Sequence, residues 1–169
     1  MNDLDAVIQE HLRALSELSA NVADSMVGEI QALADRVLRT LLGGGKVMFC
    51  GNGGSAADAQ HLAAEYVVRF SRERRALAAL ALTTDTSVLT AGGNDYGYDT
   101  IFSRQGEALG QTGDLLILHS TSGESDNLLA AAEVAGQLGI FTAALLAKDG
   151  GRLRELVDLA LVVPTESTA

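Results

Sequence analysis

The sequence predicts a three-layer α/β/α domain on a parallel sheet of about five strands, and three observations carry that reading. Short apolar runs suited to buried strands recur at residues 46–50, 77–82, 115–119, 141–146 and 159–163, with helical patterns between them. Two of these runs lead straight into glycine- and serine-rich loops, at 51–55 and 120–125, and each loop opens a helix. The chain has 169 residues, 47% of them hydrophobic, which is enough for one real core of ordinary composition.

The elements follow in order. From residue 3 to about 23 the apolar positions Leu4, Val7, Ile8, Leu12, Leu15, Leu18 and Val22 keep a helical spacing. Ile30, Leu33, Val37, Leu38, Leu41 and Leu42 repeat it over 25–42, up to the break Gly43-Gly44-Gly45. These two helices form a hairpin ahead of the first strand, able to cover one sheet face or enter a subunit interface. His11 lies beside the first apolar stripe and reads as an edge or interface residue. Lys46–Cys50 is the first strand and Leu77–Leu82 the second. A short helix is expected over 86–91, a polar loop over 92–97 and a helix over 99–109. Leu115–His119 is the third strand, followed by a helix over 126–137. Phe141–Leu146, a short helix after Asp149-Gly150-Gly151, and Leu159–Val163 complete the set, with Pro164 as the stop. No linker or repeat divides the chain, so 1–169 reads as one domain, with the hairpin in 1–43 and the sheet and its helices in 44–169.

Composition removes several function classes. A net charge of −10 argues against nucleic acid as the main partner. No apolar run is long enough to span a membrane, and no basic segment followed by an apolar stretch marks the N-terminus. The single cysteine, Cys50, excludes an internal disulfide framework, suits a reducing cytoplasm, and ends a buried strand as a small core residue. Neither nucleotide fingerprint occurs: residues 51–55 are not G-x-G-x-x-G, and G-x-x-x-x-G-K-[ST] is absent.

The chemistry is expected in residues 46–65. Gly51-Asn52-Gly53-Gly54-Ser55 turns the chain where a ligand could approach the backbone closely, with Ser55 expected to cap the next helix. A helix start of this kind attracts phosphate or another anion. His61 and Glu65, four residues apart, share one helix face. That pair fits two zinc ligands on one helix, or a proton-moving carboxylate beside a polarising imidazole; it also fits a plain surface pair. Arg69, four residues beyond Glu65, could face the same site, whereas Arg72, Arg74 and Arg75 read as a solvated helix end complementing the dipole. In the second loop, Ser120, Thr121, Ser122 and Ser125 offer four hydroxyls at a helix start, which suits the oxygens of a phosphate monoester better than an ordinary cap. His119, closing the third strand, is placed at the mouth of the site, either packing there or taking part in catalysis.

Taken together, Gly51-Asn52-Gly53-Gly54-Ser55-Ala56-Ala57-Asp58-Ala59-Gln60-His61 and Ser120-Thr121-Ser122-Gly123 resemble the sugar-isomerase (SIS) domain family, and within it the bacterial phosphoheptose isomerases. Ala81-Leu82-Thr83-Thr84-Asp85-Thr86, Gly93-Asn94-Asp95-Tyr96-Gly97, Phe102-Ser103-Arg104-Gln105 and Asp149-Gly150-Gly151 agree in order and spacing, and the likeness runs from about residue 44 to the end. The resemblance implies that Asn52, Gly53, Gly54, Ser55, Asn94 and Asp95 contact the sugar phosphate, along with Glu65, while Ser120, Thr121, Ser122 and Ser125 cradle its phosphate. It implies His61 and Glu65 as zinc ligands and catalytic residues, one zinc per subunit, with Glu65 moving the proton between C1 and C2. Family members continue past a Thr-Ala like Thr168-Ala169 into a helix with R-I-Q-E-x-x-H, whose Gln and His complete the metal site. Those two ligands fall beyond Ala169, so the sequence is expected to be truncated.

The implied reaction is an aldose–ketose isomerisation of sedoheptulose 7-phosphate to D-glycero-D-manno-heptose 7-phosphate through a cis-enediol. It opens the route to activated heptose for lipopolysaccharide or related products. The resemblance further implies a cytoplasmic homotetramer with the N-terminal helices between subunits. The alternative is a non-catalytic SIS-domain module, a sugar-phosphate sensor or replication-initiation adaptor. The His61/Glu65 pair speaks against it, since an adaptor has no use for that pair.

Overall fold

The structure, a computed structural model, describes residues 3–167; Thr168-Ala169, part of the resemblance, lie outside them. Two helices, α1 (Asp3–Ser25) and α2 (Val27–Leu42), precede a sheet of five parallel strands: β1 (Val47–Gly51), β2 (Ala79–Ala81), β3 (Leu115–Ser120), β4 (Phe141–Leu146) and β5 (Leu159–Val162). Helices α3 (Gly54–Val67), α4 (Thr86–Tyr96), α5 (Ser103–Leu109), α6 (Asp126–Gln137) and α7 (Gly151–Leu156) fill the connections. The order across the sheet is β2-β1-β3-β4-β5. In that order the connections reverse direction at β1 and β3, so a crevice opens at their carboxyl ends, where doubly wound sheets bind ligands. The loops after those two strands are the two singled out in the sequence.

Side chains alternate along each strand and build two cores. Val47, Phe49, Leu115 and Ile117 face Ala59 and Ala63 of α3 and Leu33, Val37 and Leu41 of α2. Met48, Cys50, Leu116 and Leu118 face the opposite layer, with Leu128, Ala131, Ala132 and Ala135 of α6 and with Leu153. All of β1 and β3 is buried, which is why their sequences run apolar without alternation. Small residues at 59, 63, 131, 132 and 135 let α3 and α6 lie close to the sheet. At the amino end, buried Asp114 accepts hydrogen bonds from the backbone N–H of Lys46 and Gln111 and pairs with the Lys46 ammonium, tying the starts of β1 and β3 together. Cys50 is fully buried, and burial pushes its thiol pKa far up, which fits the core role expected of it.

The α1 and α2 helices join through the single buried residue Met26, and helical hydrogen bonds run across it, from Met26 N to Val22 O and from Ile30 N to Met26 O. The apolar stripe of α1 stays exposed at Leu4, Val7, Ile8, Leu12 and Leu15. Among the described residues, no helix is long and apolar enough to cross a membrane.

Beyond shifts of a residue or two at other ends, three expected elements change in extent or kind. The second strand shrinks from 77–82 to Ala79–Ala81, because it lies at the sheet edge beside β1 and its pairing covers just those residues. The short helix over 86–91 and the loop over 92–97 become one helix, α4, begun by Asp85 accepting from Val88 N–H and ending at Gly97. The glycines at 92 and 93 are accommodated beside the Ile101 side chain. The helix expected over 99–109 is split into a 3₁₀ turn at Tyr98–Thr100 and α5. There Gln105, buried, donates to the carbonyls of Leu82 and Ile101.

Candidate active site

Strand β1 runs straight into the site. Asn52 and Gly53 alone connect it to α3, and Gly53 occupies the cap position with φ +58° and ψ −122°. Ser55 therefore does not cap the helix; it lies in the first turn. Gly51 packs so tightly on Ser55 that a Cβ there would sit 2.8 Å from the Ser55 Cβ and carbonyl oxygen. That close approach starts the helix before the serine.

The second loop is braced on the far side of the crevice. Ser120 Oγ accepts from Gly123 N–H at 3.0 Å, and Ser122 Oγ accepts from Glu124 N–H at 3.3 Å. Two backbone donors are thus used within the loop, but each serine hydroxyl keeps its own proton to donate. With Thr121 and Ser125 the loop still presents four O–H donors, the chemistry a phosphate ester needs. Gly123 (φ +68°) lies against the 150–151 backbone, where an added Cβ would stand 1.9 Å from the Gly150 carbonyl oxygen. Arg152 holds the same junction, donating to Glu124 Oε2 at 2.7 Å and to Asp126 Oδ1 at 3.0 Å. The Glu124 carboxyl is held below its ordinary pKa by these Arg152 hydrogen bonds.

His61 and Glu65 meet on α3 as expected, with Nε2 of His61 3.8 Å from Oε1 of Glu65. His61 is largely exposed; Glu65 is about a quarter exposed, and its Oε2 is a buried oxygen with no hydrogen-bond partner among the described residues. A buried carboxylate oxygen without a donor is costly unless something else engages it. A metal ion or a substrate hydroxyl fits that description, so the donor set suits the zinc that the resemblance implies. Two donors make half of a tetrahedral site. No group of three or more His, Cys, Asp or Glu suited to a metal occurs among the described residues.

Arg69 is not on the same helix face as Glu65. The helix ends at Val67, and Arg69 pairs instead with Glu73 at 3.6 Å. Arg74 complements the helix end, donating to the carbonyls of Glu65 (2.6 Å) and Tyr66 (2.8 Å), which fixes the backbone carrying the carboxylate. His119 is buried at the end of β3, its ring 6.1 Å from that of Phe49, with Nε2 unpartnered among the described residues. Burial lowers its pKa, Asp58 pulling the other way, so the ring is neutral at pH 7. Asn94 and Asp95 sit exposed on the last turn of α4, where the Asn94 amide donates to the Asp95 carboxylate at 2.7 Å. Tyr98, just after α4, reaches the loop after β1, its hydroxyl donating to Asn52 Oδ1 at 3.1 Å.

Sequence reasoning missed one group. Asn127, on the first turn of α6 and 2% exposed, forms a reciprocal amide pair with Asn52, each Nδ2 donating to the other Oδ1 at 2.9 Å. A polar residue in a helix's first turn is too ordinary to stand out, and only the fold sets it against a residue 75 positions away.

The fold defines the class: a doubly wound α/β domain whose glycine- and serine-rich loops follow the adjacent strands β1 and β3. Residues 10–147 match the family model described as SIS domain, and the chain belongs to that family. Within it, the chain is 52% identical over 163 residues to the phosphoheptose isomerase of Aliarcobacter butzleri, an alignment covering 96% of this chain and 86% of that one. The solved phosphoheptose isomerase of Neisseria gonorrhoeae superposes with a TM-score of 0.92 at 41% identity, over 98% of this chain and 88% of that one. That of Francisella tularensis gives 0.94 at 36% identity, over 99% and 89%. The chain's place is thus among the phosphoheptose isomerases, and the alternative of a non-catalytic module is not favoured.

Proposed function

We propose that the chain interconverts sedoheptulose 7-phosphate and D-glycero-D-manno-heptose 7-phosphate through a cis-enediol, the first step toward an ADP- or GDP-activated heptose. The observation that carries this reading is the 52% identity to a named phosphoheptose isomerase across nearly the whole chain.

In this reading the hydroxyls of Ser120, Thr121, Ser122 and Ser125 donate to the phosphate oxygens. Asn52, Gly53, Gly54 and Ser55, with Asn94 and Asp95, receive the sugar. Glu65 takes a proton from C1 of the ketose, exchanges it with solvent while the enediol stands, and gives a proton to C2, as the O1 hydroxyl proton passes to O2; the carboxylate ends each turnover as it began. Its position supports this: Oε1 lies beside the His61 ring, while Oε2 is buried and free of protein donors among the described residues. His61 and Glu65 would hold zinc. When bound, zinc supplies Lewis-acid polarisation of the carbonyl oxygen.

Replacing Glu65 by Gln is expected to reduce turnover of sedoheptulose 7-phosphate to background while leaving the circular-dichroism melt within about 0.5 kcal/mol of the parent. Undiminished turnover removes Glu65 from the mechanism. Self-association into a homotetramer is supported by the exposed apolar stripe of α1. Light scattering is expected to give four copies, and a monomer at micromolar concentration counts against it. The cytoplasm is the compartment this reading assigns, where the lone Cys50 stays reduced.

A further inference from the structure

We propose that Asn127 is a positioning residue that locks the Asn52 amide and so couples the sugar loop after β1 to the phosphate loop after β3. The inference rests on the reading of Asn52 as a substrate contact.

Asn127 follows the phosphate loop by two residues, inside the first turn of α6, while Asn52 is the first residue after β1. Their reciprocal pair, with both bonds at 2.9 Å, is the side-chain bridge between the two loops. Tyr98 adds a third bond, donating to Asn52 Oδ1 at 3.1 Å. Asn52 Oδ1 therefore accepts twice, which uses both of its lone pairs. Its Nδ2 gives one proton to Asn127 and keeps the other. An amide held this way cannot turn over, and it offers the crevice a single N–H donor and no acceptor. That suits a sugar oxygen acting as acceptor. A free Asn52 would lose rotamer freedom each time substrate bound; a locked one has lost it during folding. Because Asn127 is 2% exposed, water does not replace it cheaply in the pair.

The test uses two readouts on the full chain. In ¹⁵N-asparagine-labelled protein, the Asn52 Nδ2 proton donated to Asn127 is expected to exchange more slowly with solvent than its free partner proton in the parent, and at least about tenfold faster in Asn127→Ala. Unchanged exchange overturns the proposal. Calorimetric titration with sedoheptulose 7-phosphate is then run as a double-mutant cycle. Asn127→Ala is expected to raise Kd about tenfold; in an Asn52→Ala background the same change is expected to have no further effect. Additive losses indicate a general structural role and overturn the proposal. Should Asn127→Ala not fold, Asn127→Asp keeps the size and acceptor while removing the donor, and Tyr98→Phe removes the third bond; each is expected to weaken binding only where Asn52 is present. If the parent does not bind sedoheptulose 7-phosphate while exchange responds as stated, the isomerase reading falls and the lock stands.

Discussion

Gly123 tests the brace under the phosphate loop, and Gly53 supplies its control. Both have positive φ, +68° and +58°, so a Cβ at either carries a backbone penalty of about 1–3 kcal/mol. At Gly53 nothing lies within 4 Å of the added Cβ, so that penalty is the whole cost. At Gly123 the Cβ would meet the Gly150 carbonyl oxygen at 1.9 Å, its carbon at 2.6 Å and Gly151 N at 3.1 Å. These are backbone atoms, with no flexible side chain to swing away. Relief means parting the phosphate loop from the turn before α7, which adds a strain of about 1–3 kcal/mol. Gly123→Ala is therefore expected to lose about 2–6 kcal/mol in all, against about 1–3 kcal/mol for Gly53→Ala. Urea unfolding followed by far-ultraviolet circular dichroism measures both, since the chain has no tryptophan to report by fluorescence. Gly123→Ala should also weaken binding of inorganic phosphate. Equal losses for the two variants would refute the argument that the loops are held in backbone contact.

Two further perturbations probe the frame. Asp114→Ala strips three donors of a carboxylate that is 3% exposed and should cost about 2–4 kcal/mol by urea unfolding, a loss below 1 kcal/mol contradicting its role in tying β1 to β3. For His119 the folded pKa lies below 6.5, so the unfolded chain takes up the proton first as pH falls. The stability it contributes is complete above about pH 6.5 and is lost as pH falls through the folded-state value. His119→Gln should flatten that part of the stability profile, and an unchanged slope would show that the ring is not held neutral by burial.

The layers, the five strands and both glycine–serine loops were legible because they rest on local patterns. Unbroken apolar runs fit strands buried on both faces, and glycine–serine clusters mark the turns that follow. The run from Thr86 to Tyr96 was misread because Gly92 and Gly93 look like loop residues; packing beside Ile101 and the Asp85 cap outweigh their poor helix propensity. Ser55 was misplaced by two residues because a cap preference cannot foresee how closely Gly51 approaches the helix. Arg69 was read on a helix face that ends at Val67, since no residue type signals that stop as Gly or Pro would. His61 and Glu65 lie four apart on one helix, so their meeting was readable. Asn52 and Asn127 meet only through the neighbouring positions of β1 and β3, which no local pattern records.

The central claim, that Glu65 moves a proton between C1 and C2 of a heptulose 7-phosphate, is tested most directly by following sedoheptulose 7-phosphate in deuterium oxide by NMR. Conversion to the aldose phosphate with solvent deuterium at C2 is expected, and no conversion with Glu65→Gln. Conversion that carries the original C1 hydrogen wholly to C2, at a rate unaffected by Glu65→Gln, would contradict it.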